Sequence, residues 1–307
     1  IEAARADLKL EIVRAYWAAA TAREAVRVLE ESTARAEAQL NDARQRFNVG
    51  LIPPNEVASL DAQRSRERAQ LIEAGNVRES ALIELRRLIG VPPNTVIDLA
   101  ERLDADAAAT PTAPGTDVEA LIARALGSRP ERRALEHRIG SAEARRAAVL
   151  AATKPTIAVL GGIDYANPNP RIFPRKGEWR ESWDLGVNAS WNVFDFGRAK
   201  AQAAEVSAVV LASRERLAEL DQAVSTEVRI RLLDLDSTHA VVRAASDAVR
   251  SAAEARRVVT DRFAAGVATS TDVLVTQVAL LESELARTRA LANVKLAEAR
   301  LERAAGR

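Results

Sequence analysis

The chain has 307 residues, 48% of them hydrophobic and 28% charged, with Lys+Arg at 44 against Asp+Glu at 43. That balance excludes a general nucleic-acid binder, which needs a clustered excess of basic residues. The absence of Cys excludes a disulfide scaffold, a Cys-ligated zinc site and thiol catalysis, and two histidines leave little for acid–base or metal chemistry. Only 13 Gly, 11 Pro and 4% aromatics fit long helices better than a dense globular core.

No run of about 18 apolar residues occurs, so no transmembrane helix is expected. The chain opens at Ile1 inside a helical pattern, with no Met and no signal peptide. It therefore reads as an internal or trimmed piece. The first helix covers residues 1 to about 48, with Leu8, Ile12, Tyr16 and Ala19 on one stripe. A second runs from Asn55 to Leu88 and stops at Gly90-Val91-Pro92-Pro93. Residues 104–117 form an Ala/Thr/Pro linker, followed by a short helix over 117–126. The next helix spans Pro130 to Ala152, with Ser128 its candidate cap and Glu131 three residues on. A long helix runs from Arg198 to Ala264, where Val228, Leu235, Val242 and Val249 recur every seven residues as a coiled-coil seam. The last helix covers Ser270 to Ala305.

Residues 156–194 break this period. In Thr156–Tyr165 the odd positions are Ile157, Val159, Gly161, Ile163 and Tyr165. From Trp183 to Val193 apolar and polar residues alternate without a break, and Trp183 and Trp191 share the apolar side. Two strands of about 10 residues with one apolar and one polar face are the pattern of a transmembrane β-barrel. A half-buried soluble hairpin also alternates. Eight residues separate the two Trp, roughly 26 Å along a strand. At a tilt near 40° that is about 20 Å of depth, close to the spacing of aromatic girdles. Tyr165, Trp183 and Trp191 are the candidate membrane-interface aromatics. A hairpin alone is marginal in water, so strands from elsewhere must pair with it.

Two bends resemble each other: Arg46-Phe47-Asn48-Val49-Gly50-Leu51 with Glu56-Val57, and Arg262-Phe263-Ala264-Ala265-Gly266-Val267 with Asp272-Val273. Gly supplies the positive φ that ends a helix. Asn55, Ser270 or Thr271 can cap the next helix, with the acid in its first turn. The shared order of motifs indicates an internal duplication. The long helix would measure about 100 Å, and the short helix plus the last helix sum to about 87 Å. Two short helices end to end thus nearly match one long one. Residues 1–48 give only about 72 Å. The chain is therefore expected to be N-terminally truncated, lacking part of a long helix and a first hairpin.

The ordered motifs resemble TolC-like outer-membrane efflux proteins over essentially the whole chain. Arg46–Leu51, Leu88–Pro93, Arg129-Pro130-Glu131, Lys154-Pro155-Thr156, Trp191–Arg198, Arg262–Gly266 and Thr271–Leu274 carry the resemblance. It implies a mainly α fold: long antiparallel coiled-coil helices forming an α-barrel protomer, with one transmembrane β-hairpin. The implied assembly is a homotrimer with a shared β-barrel and a periplasmic helical tunnel. The organisation expected is a truncated first-repeat helical hairpin (1–95), an equatorial linker with a short helix (96–128), a second-repeat short helix (129–155), the β-hairpin (156–195) and a second-repeat helical hairpin (196–307).

The implied function is an outer-membrane channel of a tripartite efflux or type I secretion system. Its partners would be a periplasmic adaptor (membrane fusion protein), an inner-membrane transporter and outer-membrane lipid, with no nucleic acid. The resemblance puts the adaptor-docking tip at Arg46, Val49, Gly50, Leu51, Arg262, Gly266 and Val267. It puts the aperture at Asp272, Glu56 and Phe263. The second aperture acid of the family is Val275 here, the latch Arg position is Ala268, and the Tyr partner position is Phe263. A charged latch is thus largely absent. Packing at Phe263 and a ring of Asp272 carboxylates would then set the aperture. Asp272 also fits a simple first-turn helix acid.

Nothing points to an enzyme, cofactor or metal. His137 and His239 lack ligand spacing. Asp236-Ser237-Thr238-His239 is mid-helix, without a nucleophile elbow. Gly161-Gly162 is not followed by Lys-Ser/Thr, and the Arg-rich run 129–146 alternates with Glu as a solvated face. The competing reading is a structural periplasmic coiled-coil adaptor or scaffold without a channel, for which the two Trp on an apolar face have no use.

Overall fold

A computed structural model describes residues 1–101, 103 and 117–306. The elements are α1 (Glu2–Asn48), α2 (Pro54–Ile89), α3 (Val118–Ser128), α4 (Pro130–Ala151), β1 (Thr156–Ala166), β2 (Arg180–Ser190), α5 (Arg198–Ala264) and α6 (Ser270–Ala304). The expected 104–117 linker lies outside the described residues except for Asp117. That side chain caps α3 by accepting from the Glu119 and Ala120 amides at 3.0 and 3.2 Å.

The chain divides into two compact units, Ile1–Pro130 with Ala223–Arg307, and Glu131–Gln222. In the first, α1 packs against both α2 and α6. Its core is a string of small clusters. One gathers Ala15, Trp17, Ala19, Leu85, Leu235 and Leu291 among others. The next joins Val28, Leu29 and Leu281, and a third joins Leu40, Ala43 and Leu60. Alanine fills many contact positions, which lets the helices approach closely. Arg23 Nη1 donates to the Leu99 carbonyl at 2.6 Å, and Tyr16 Oη accepts from the Glu101 amide at 3.2 Å, so α1 carries the segment after α2.

A polar layer interrupts the string between its last two clusters. Glu67 on α2 is fully buried. It accepts from Ser32 Oγ of α1 at 2.8 Å, Gln63 Nε2 at 2.9 Å and Gln277 Nε2 of α6 at 3.2 Å. Gln63 Oε1 in turn accepts from Arg66 Nη2 at 2.7 Å. The amide therefore relays a cation to the carboxylate without direct contact. The bonds from Ser32 and Gln277 tie the carboxylate of α2 to α1 and α6.

The expected α5 seam is present: Val228, Leu235 and Val242 are buried and Val249 half-buried. The same three–four spacing continues toward the helix start through Ala199, Ala203, Val206 and Val210.

In the second unit Arg132 Nε pairs with Asp221 at 2.9 Å, and Arg214 with Glu143 at 2.5 Å, tying α4 to α5. β1 and β2 form one antiparallel hairpin pairing Thr156 with Ser190 through Ala166 with Arg180.

Four local expectations are corrected. β2 runs over Arg180–Ser190 and not on to Val193. Trp191 leaves the strand because its indole N–H donates to the Thr153 carbonyl at 3.0 Å, and Asp195 caps the start of α5 by accepting from the Ala199 amide at 2.8 Å. Ser128 is the last residue of α3 and no cap for α4; its hydroxyl donates to the Arg124 carbonyl at 2.7 Å. Asn55 lies inside α2, whose N-cap is Pro53 with Pro54 in the first turn. Ser270 and Thr271 lie inside α6, whose N-cap is Thr269.

Removing the carboxylate of the polar layer orphans three buried donors. Glu67→Ala should lower stability by about 3 kcal/mol, read as a shift in the denaturant midpoint.

Candidate functional site

The two bends have one geometry. At the first, the Gly50 amide donates to the Phe47 carbonyl at 2.9 Å and the Leu51 amide to the Arg46 carbonyl at 2.9 Å. At the second, the Gly266 amide donates to Phe263 at 3.0 Å and the Val267 amide to Arg262 at 2.9 Å. Gly50 and Gly266 have φ of 78° and 75°. Both are therefore the same left-handed helix stop, in which the last carbonyls are satisfied by the two residues beyond the cap.

Arg46 of the first bend meets Phe263 of the second. The Arg46 guanidinium lies over the Phe263 ring, 5.0 Å from its centroid, and its Nε pairs with Asp42 at 3.0 Å. Phe263 is buried, whereas Val49, Leu51 and Val267 are 70%, 73% and 63% exposed. The structure thus splits the expected site residues. Phe263 and Arg46 pack on each other, and the three aliphatic side chains are left exposed at the bends.

Asp272 is exposed and closes a capping box with Thr269. Its Oδ2 accepts from the Thr269 amide at 2.9 Å and hydroxyl at 2.8 Å, and the Asp272 amide donates to Thr269 Oγ1 at 3.2 Å. These bonds, the backbone one foremost, hold its carboxyl below the usual carboxylate range, with Arg262 adding a weaker pull. The capping contribution is thus fully present at neutral pH and is lost as pH falls through that lowered value. Glu56 takes the matching first-turn position of α2 and is half-buried.

On the hairpin, register places the odd residues of both strands on one side, with Ile157 opposite Ala189, Val159 opposite Val187 and Ile163 opposite Trp183. This side is bare: Ile163 is 84% and Trp183 75% exposed. The other side carries Asp164 and Asp184, and loop residue Arg171 pairs with both, at 2.8 Å to Asp164. Tyr165 stacks on Trp179 with ring centroids 5.2 Å apart, so Tyr165, Trp179 and Trp183 gather at the loop end. Trp191 follows the opposite end, near Phe194 and Phe196, whose rings meet edge-on at 4.6 Å.

Sequence reasoning missed Trp179, Phe194 and Phe196. Trp179 has the same parity as Trp183, and extending the alternation backwards past Glu181 would have found it. Among the described residues no helix is long and apolar enough to cross a membrane, and no group of three acidic or His side chains could hold a metal.

A sequence model of the outer membrane efflux protein family matches residues 1–91 and 121–307, and the chain belongs to that family. It is 25% identical over 275 residues to the outer membrane protein TolC of Vibrio cholerae, covering 89% of this chain and 61% of TolC. The chain thus spans less than two thirds of that relative's length. Among solved structures, VceC of Vibrio cholerae superposes with a TM-score of 0.78 at 20% identity, covering 99% of this chain and 71% of VceC. The open state of the Neisseria gonorrhoeae MtrE outer membrane channel gives 0.78 at 22%, covering 99% and 67%. The fold is therefore that of these outer-membrane channel protomers, mainly helical with one antiparallel β-hairpin. The protein belongs in the outer membrane, with its helices in the periplasm.

Two predictions test these sites. Gly50→Ala and Gly266→Ala force a side chain into left-handed backbone and should each lose about 1–2 kcal/mol, while Gly75→Ala, inside α2, should not; thermal unfolding separates them. Val187→Arg on the bare face should cost about 2–4 kcal/mol of membrane assembly, whereas Asn188→Arg on the other face should cost little; heat-modifiable gel migration of the assembled protein reads the difference.

Proposed function

We propose that the protein is the outer-membrane channel component of a tripartite efflux or type I secretion system. Three copies form one duct through the outer membrane and periplasm, and the protein moves solutes without catalysis. The observation that carries this reading is the family match over both helix pairs, joined to a hairpin whose apolar face is left exposed among the described residues. A channel-free scaffold leaves that face without a role.

The bend tip supports the adaptor side of the reading. Val49, Leu51 and Val267 offer a small apolar surface on rigid, identically capped bends, suited to the hairpin of a periplasmic adaptor, which links the duct to an inner-membrane transporter. Arg46, Gly50, Arg262 and Gly266 hold that surface in shape. The aperture is set by Phe263 packing under Arg46 and by Asp272 carboxylates drawn near the channel axis, with Glu56 a second acid on the first bend. Asp272 has one oxygen engaged by Thr269, which fixes its position, and it stays charged at physiological pH. Converging fixed carboxylates attract cations and bind divalent ions.

The test is single-channel conductance of the purified full-length protein in planar bilayers. Asp272→Asn should lower cation selectivity and abolish block by divalent ions, with unitary conductance otherwise retained. Unchanged selectivity and block would remove the acid ring from the reading. Failure to form any channel would remove the channel itself.

A further inference from the structure

A cleft of about 310 Å³ opens between α1, α5 and α6, lined by Arg35, Gln39, Asp42, Arg46 and Arg256 above Phe263. Its donors outnumber its acceptors. Asp42 is occupied by Arg46 at 3.0 Å, and Glu284 by Arg35 Nη2 at 3.0 Å. The half-buried Arg256 guanidinium has no hydrogen bond or ion pair among the described residues. Arg35 Nε and Gln39 Nε2 are buried without a partner. These two side chains lie one helical turn apart on α1, so they share a face. Burial first, and then the nearby Arg35 charge, push Arg256 below its ordinary pKa, and Glu284 offsets this only in part. Buried unpartnered donors and a partly desolvated, incompletely compensated cation are each costly, and native structures leave few of them.

We propose that this cleft binds a small oxyanion, a phosphate or a carboxylate. Arg256 supplies the charge, and the Arg35 and Gln39 side chains lining the cleft turn their unpartnered Nε and Nε2 donors toward the anion when it binds. The guanidinium fork matches the paired oxygens of either group. The cleft's volume of about 310 Å³ is ample for a small anion. The inference is independent of the channel reading, because the cleft is built within one chain from residues assigned neither to the aperture acids nor to the exposed tip, apart from the Arg46–Phe263 contact that floors it.

The experiment is calorimetric titration of the purified protein with inorganic phosphate, and separately with N-acetylglutamate amide, at constant ionic strength in chloride. Saturable binding of at least one probe at one site per chain is expected. Arg256→Gln should weaken it at least roughly tenfold, with a smaller loss in Gln39→Leu and an intermediate one in Arg256→Lys. Thermal unfolding gives a second readout. Phosphate should raise the midpoint of the wild type, while Arg256→Gln should be at least as stable without anion and unresponsive to it. Binding of N-acetylglutamate amide without phosphate supports the site and assigns it to a carboxylate. No saturable binding of either probe, or equal binding to Arg256→Gln, overturns the proposal.

Discussion

A helix can bury only the stripe that faces its neighbours, and in this chain that stripe is largely alanine, valine and leucine. Ala19, Ala43 and Ala125 are completely buried, yet each hides little apolar surface. Stability must then accumulate along the length of contact and cannot be concentrated in one core. Seven-residue spacing keeps the seam of α5 in step over many turns. Narrow seams have a weakness: small side chains repeat, and a helix displaced by one heptad would pack almost as well. The Ser32–Glu67–Gln277 contacts act against that degeneracy, because the two donors from α1 and α6 meet the buried carboxylate of α2 in this register. It is a specificity device embedded in an otherwise repetitive interface.

The bends solve a different problem. Each must reverse a long helix within a few residues while leaving its end charges balanced. Left-handed glycine closes the last turn, and an acid opens the next helix, Glu56 in one case and Asp272 in the other. The second bend is tighter in its chemistry, with a full capping box, whereas the first relies on Pro53 and Pro54 to set the entry angle. The duplication evident in the amino-acid pattern therefore survives as backbone geometry but not as identical side-chain chemistry.

Most of the architecture was legible because it rests on period. Alternation by two and by three-and-four marks strands and helices, and glycine followed by proline marks stops. The misreadings are all local competitions. Trp191 continues the alternation in sequence toward Val193, but its indole N–H donates to the Thr153 carbonyl, and the strand ends at Ser190. Ser128, Asn55 and Ser270 are good capping residues that lost the position to the backbone path around them. The polar layer and the arginine cleft were invisible for a further reason. Their members lie on separate helices, as Gln277 and Glu67 do at 210 residues apart. Periodicity tells which residues face inward and not which inward polar groups meet.

The hairpin leaves one row of main-chain donors and acceptors unpaired on β1 and another on β2, since these two strands make the only sheet among the described residues. Such an edge recognises any strand, because peptide groups carry no identity. What rejects a wrong neighbour is the alternation itself. A slip of one residue would turn Ile163 and Trp183 toward water and set Asp164 and Asp184, with their shared Arg171, against lipid. Every misaligned closure is thus penalised along the full strand at once, so the two-residue repeat proofreads the joining of strands that the backbone alone would accept.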